Sequence, residues 1–159
     1  MMKFGIAIAV FTGVVSLPAE AQTVSVMVLD QAGAQTVLQA ARRSAQQRNA
    51  PSAIAVVDPA GDLLAFERMD GVRPASAELA VQKARTAARL QRSTAEIENN
   101  IDQGRTAFVT AEIVALRGGM PVQVNGETVG AVGVAGLSKE NDTEIAGTAA
   151  AALISNSPH

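Results

Sequence analysis

The residues able to do chemistry cluster in one run, 53–90, and in the loop around 118–121. Lys83 shares a helical row with Leu79, Thr86 and Leu90, so an amine and a hydroxyl stand between two leucines at the border of core and water. A lysine desolvated in this way can serve as a base or electrophile, with Asp70 or Glu78 as proton carrier and the amides of Gly118 and Gly119 as an oxyanion site. The plain alternative is that Lys83 snorkels, its methylenes on apolar surface and its ammonium in solvent or on Asp58 or Asp70. No nucleophile and base stand at a diagnostic spacing.

The elements that must position these groups can be read from the pattern. Asp58-Pro59-Ala60-Gly61-Asp62 separates the apolar runs 53–57 and 63–66, which predicts a β-hairpin. After Arg73-Pro74, Ser76 is the expected N-cap of a helix reaching about Gln91, with a buried stripe at Ala80, Ala84, Ala87 and Ala88. Upstream, residues 23–29 suit a short strand or extended arm. Asp30 caps a first amphipathic helix carrying Ala34, Val37, Leu38, Ala41 and Ala45 and ending near Asn49. Downstream, Ser93 with Glu96 forms a capping box for a short third helix, and 105–117 reads as irregular with a helical turn.

Asn125-Gly126 marks a second hairpin, joining 120–124 to a return strand 128–134 with glycine at 130, 133 and 136. Glycine inside a strand signals a bulge, or the close approach of a ligand or of another backbone such as a tightly packed helix. Asn141 with Glu144 is the expected capping box of a last helix ending near Ser155. Helices interleaved with two hairpins give an α+β fold on an antiparallel sheet.

The chain has 159 residues, enough for one domain with a proper core. Residues 1–21 combine an early Lys3, an apolar run 4–15 and small residues at Ala19 and Ala21, the order of parts of a secretory signal peptide cleaved before Gln22. The expected product is a single domain, 22–159, that is periplasmic or secreted and has no stable membrane insertion after cleavage. Cysteine is absent, so disulfides and thiolate metal sites are excluded. A net charge of −2 without a basic patch, and no Trp or Tyr, argue against a nucleic-acid partner.

Three segments then carry a family resemblance: AIAVVDPAGDLLAFERMDGVRPASAELAVQKARTAA, LRGGMPVQVNGETVGAVGVAGLSKENDTEIA and the alanine-rich closing helix. Together they resemble the GlcG/HbpS family, the haem-binding or haem-degrading domain, across roughly residues 29–153. The resemblance implies a profilin-like α/β/α sandwich with about five antiparallel strands and helices on both faces, assembled as a homo-oligomer. It maps Arg68-Met69-Asp70-Gly71 onto the family's charged turn, Lys83 to Ala87 onto its helix signature, and Gly118-Gly119-Met120-Pro121 onto its Gly-Gly loop. Folding is expected to bring these into one cleft.

For function, the resemblance implies a small-molecule binder taking haem or a related tetrapyrrole for sequestration or redox sensing. Arg68, Lys83 and Arg85 would meet propionates, Thr86 or Met69 would lie near the iron, and Gly118 and Gly119 would border the site. His159 is the sole histidine, at a chain end, so the strong haem ligands are scarce. Met69 and Met120 are more often core fillers than ligands. A metal site of protein ligands is not expected, because Glu96 and Glu98 lack the spacing of the family's acidic pair and Glu112 is alone. The competing readings are a cofactor-independent isomerase, lyase or hydrolase acting on a small oxygenated acid, and an accessory subunit of an exported dehydrogenase.

Overall fold

The structure is a computed structural model and describes residues 24–156. The proposed leader, 1–21, and His159 lie outside the described residues. A four-stranded antiparallel sheet forms the middle layer: β1 (Ala53–Val57), β2 (Leu63–Arg68), β3 (Gly119–Val124) and β4 (Glu127–Ala135), in the order β2-β1-β4-β3. Each hairpin pairs within itself, and β1 joins β4 at the centre with Ile54 opposite Val134 and Val57 opposite Ala131.

Among the described residues the strand count is four rather than about five. Residues 24–30 run without regular structure and make one ladder-like bond, from the Leu29 N–H to the Val129 carbonyl at 2.8 Å. Val129 is the extra residue of a bulge, since Val122 faces Gly130 while Gln123 faces Thr128. The bulge turns Val129 towards the core.

Alternation along β1 and β4 divides the core in two. Ile54, Val56, Val132 and Val134 point to one face and meet α1 (Gln31–Gln47) and α4 (Lys139–Ala150) through Val37, Leu38 and Ile145. Ala53, Ala55, Val57, Ala131 and Ala135 point to the other face and meet α2 (Pro74–Leu90) through Ala80, Ala84, Ala87 and Ala88. Helices on both faces of an antiparallel sheet make the α/β/α sandwich that the resemblance implied.

Small residues on both partners let α2 descend almost to the strand backbone. A Cβ added at Gly133 would collide with the Ala80 carbonyl and lie 2.6 Å from the Ala84 nitrogen, so only glycine fits beneath the helix. Close approach of another backbone, one of the three sequence-based readings of the strand glycines, is thus the observed one at Gly133.

Two helix starts differ from expectation. Pro74 occupies the first turn of α2 with Arg73 at the cap and no side-chain cap bond, which places Ser76 inside the helix, buried. Proline's fixed φ starts the helix without a capping hydroxyl. In α4, Ser138 accepts from the Asn141 N–H at 3.3 Å, so the helix begins before the Asn141–Glu144 box. Asp30 and Ser93 cap α1 and α3 (Thr94–Asp102) as read from sequence, and a 3-10 turn, Thr106–Thr110, follows α3. Among the described residues no helix is long and apolar enough to cross a membrane.

Candidate functional site

Helix α2 is the platform. Gln82, Arg85 and Arg89 fall at i, i+3 and i+7 on the side away from the alanine stripe, and the helix stops at Gln91, whose φ of 52° is left-handed. Below them lies the β1–β2 turn, where one oxygen of Asp58 accepts from the Gly61 and Asp62 N–H groups, each at 2.9 Å. That internal closure leaves the Ala60 and Gly61 carbonyls free to face the helix. Arg85 Nε donates to the Gly61 carbonyl at 3.0 Å, and Arg89 Nε donates to the Ala60 carbonyl at 2.9 Å. Each guanidinium is thereby held by its inner nitrogen.

Across from them the segment 112–114 closes a hollow of about 310 Å³, lined by Gln82, Arg85, Thr86, Arg89, Glu112 and Val114. Thr86 is 4% exposed, and its hydroxyl oxygen accepts from the Val114 N–H at 3.1 Å, fixing the far wall to the helix. Among the described residues neither arginine has a carboxylate within ion-pair distance, Glu112 included. Two like charges one helical turn apart repel each other. Held side by side at the mouth of a hollow, they suit a ligand with paired acid groups, which guanidinium binds in a two-pronged fashion.

Lys83 is elsewhere. It sits at the i+3 position of the buried stripe that starts at Ala80, so its side chain runs inward past the end of the sheet and is 3% exposed. The ammonium donates to the Val134 carbonyl at 2.8 Å and to Asp142 Oδ2 at 2.9 Å, while Asp142 Oδ1 accepts from the Gly136 N–H at 2.7 Å. This buried ion pair ties α2, β4 and α4 together. Burial pushes the Asp142 carboxyl above its ordinary range, against the opposing pull of the Lys83 charge and hydrogen bond and of the Gly136 amide.

Gly118, at φ 114°, lets the chain pass this pair: a Cβ there would stand 2.6 Å from the Val134 carbonyl and 3.0 Å from the Lys83 ammonium. The Gly119 N–H is taken by the Thr94 hydroxyl at 2.8 Å, so it is not offered to an oxyanion.

The charged turn forms a third place. Arg68, Met69 and Asp70 line a separate polar hollow of about 270 Å³ with Arg42, Gln46 and Glu67, between α1 and the β2 edge. Glu67 pairs with Arg42 at 3.5 Å. Glu78 is exposed on α2 and accepts from Gln82 Nε2 at 3.0 Å.

One cleft holding Lys83, Asp70 and Gly119 therefore does not form. Lys83 adjoins Gly118 and Gly119 inside the molecule, Asp70 lies beyond the end of β2, and Arg85 with Thr86 faces a hollow of its own. The snorkelling reading fails as well, because the carboxylate partner of Lys83 is Asp142 rather than Asp58 or Asp70. Sequence reasoning missed Asp142 and Arg89 as participants. For Arg89 the signal was available, four residues after Arg85 on the same helix face. For Asp142, 59 positions from Lys83, it was not.

Comparisons with known proteins agree with this architecture. The model of the family described as haem degrading protein HbpS-like matches residues 29–151. Protein GlcG of Escherichia coli strain K12 is 45% identical over 109 residues, 68% of this chain and 81% of that protein. A crystal structure of a double mutant of Streptomyces reticuli HbpS superposes with a TM-score of 0.77 at 30% identity, covering 89% of this chain and 97% of that one. The crystal structure of a PduOC–haem complex does so with a TM-score of 0.71 at 30% identity, covering 79% and 95%.

Proposed function

The chain belongs to the HbpS-like family, and on that premise we propose that it binds haem or a related tetrapyrrole, outside the cytoplasm, for sequestration or redox sensing. A structural relative carries haem in its crystal structure, which supports tetrapyrrole binding at the level of the family. The observation that carries the reading here is the pair of anchored, unpaired guanidiniums beside the α2 hollow.

The residues present fit the acid edge of a porphyrin. Arg85 and Arg89 would hold the propionates, and Thr86 would supply an oxygen at the wall. Leu63, 49% exposed, and Phe66, 40% exposed, lie on the α2 side of the edge strand β2, just past the turn that anchors both arginines. They offer apolar surface to a flat ring. A bound haem would supply a redox-active iron. Lys83 does not reach the hollow, so the propionate contact inferred for it passes to Arg89, and a lysine-driven reaction on a small acid loses its accessible amine.

Titrating haemin into the purified protein is expected to give a saturable Soret shift. Charge-assisted hydrogen bonds are worth about 1.5–3 kcal/mol, so Arg85→Ala and Arg89→Ala should each weaken binding by about 10-fold or more. A non-saturating response, or a double variant that binds like the wild type, would overturn the proposal. Export is tested separately, by N-terminal sequencing of the mature protein, which should begin at Gln22. A homo-oligomer is expected in solution, and sedimentation velocity reads its size.

A further inference from the structure

Resting on the tetrapyrrole reading, we infer that this hollow selects its ligand by the paired carboxylates on one edge of the ring and not by the central metal, so that metal-free porphyrin dicarboxylates are ligands equal to haem. Among the side chains that line the hollow, the one anionic donor to a central iron is the Glu112 carboxylate, and the strong haem ligands are missing. The described residues include no His, Cys or Tyr. Met69 and Met120 pack against the core on the α1 and α4 side of the sheet, away from the α2 hollow. The Lys83 amine is spent on Val134 and Asp142. The Thr86 oxygen already receives the Val114 N–H, and a neutral hydroxyl is a weak iron ligand.

The cationic side of the hollow, by contrast, is prepared in advance. Both guanidiniums are fixed through Nε to adjacent carbonyls of one turn, which leaves their outer nitrogens for a ligand. Gly61 brings both to one spot: a Cβ there would lie 3.0 Å from Arg89 Nε and 3.2 Å from Arg85 Cγ. Side chains one helical turn apart are separated by about 5–6 Å at Cβ, which suits two propionates leaving the same edge of a macrocycle. Fixing donors before binding lowers the ordering cost, so the acid groups contribute more of the affinity than they would on mobile side chains.

The test compares three probes on the full protein by fluorescence and absorbance titration: haemin, protoporphyrin IX and protoporphyrin IX dimethyl ester. Haemin and protoporphyrin IX should bind with Kd values within about threefold of each other, and the diester at least about tenfold more weakly. Arg85→Ala and Arg89→Ala should weaken the two acids by the same factor. His159→Ala and Thr86→Val should leave the ratio of haemin to protoporphyrin affinity unchanged.

Tight haemin binding with little protoporphyrin binding would overturn the inference while leaving the proposed function standing. A loss of affinity for haemin alone in His159→Ala or Thr86→Val would do the same. A diester that binds as well as the diacid would show that the carboxylates are not read. Failure of all three probes to bind would remove the proposed function and this inference together.

Discussion

The two faces of the sheet are built on opposite principles. Towards α1 and α4 the strands present Ile54, Val56, Val122, Val132 and Val134, branched side chains that fill the space beneath the helices. Towards α2 they present alanines, Val57 and Gly133, and the helix replies with alanines of its own. Branched packing buries more apolar area per residue and so supplies more of the hydrophobic stabilisation. The small-residue face buries less but fixes position, because backbone meets backbone and no side chain can yield. Arg85 and Arg89, the proposed ligand contacts, ride on this closely packed helix, where an error of about 1 Å is costly to recognition.

The largest expected effect comes from the ion pair that links the two layers. Lys83→Met leaves the Asp142 carboxylate buried without its cation, and breaking one side of such a pair costs about 3–5 kcal/mol. Urea denaturation measures it. The double variant Lys83→Met/Asp142→Leu should recover most of that loss; if it does not, the pair stabilises the sandwich beyond its own electrostatics.

Next come two changes of one carbon each, one per face. Gly133→Ala drives a methyl against the Ala80 carbonyl and should cost about 3 kcal/mol, the upper end of overpacking. It should also lower haemin affinity by displacing α2. Ile54→Val removes one methylene from the branched face and should cost about 1 kcal/mol with no change in haemin affinity. Equal stability losses, or equal effects on the ligand, would erase the contrast between the faces.

The smallest effect is in acid. Burial holds the Asp142 carboxyl above its ordinary value of 3.8, so the folded chain keeps this proton more readily than the unfolded one. The stability it contributes is present in full below 3.8 and is lost as pH rises through the raised folded value. Thermal melts across that window should show the wild type losing ground to the Lys83→Met/Asp142→Leu double variant as pH increases. An opposite slope would mean that the Lys83 charge outweighs desolvation.

Much of the fold was legible because its signals are local. Caps at Asp30 and Ser93, the Asn125-Gly126 turn and the alanine stripe of α2 each depend on residues within about two helical turns of one another. The misread helix starts have a local cause too: Pro74 starts α2 without a capping hydroxyl, and Ser138 outcompetes the Asn141–Glu144 box three residues later. The site was only half legible. Arg85 and Thr86 were singled out and do share a hollow, whereas Arg68, Met69 and Asp70 belong to another part of the surface.

Helical periodicity determined that α2 has a small-residue face, and turn chemistry at 58–62 and at Asn125-Gly126 determined that the chain pairs as two hairpins, because both signals are local. Which way Lys83 turns was decided by the sandwich. Residue 83 lies on the edge of the alanine stripe, and only the arrival of Asp142 on the far helix, with the Val134 carbonyl between them, makes burying that charge tolerable. The same holds for the two arginines: their spacing is written in the sequence, but the turn that anchors them meets α2 only once β1 and β2 have paired beneath it.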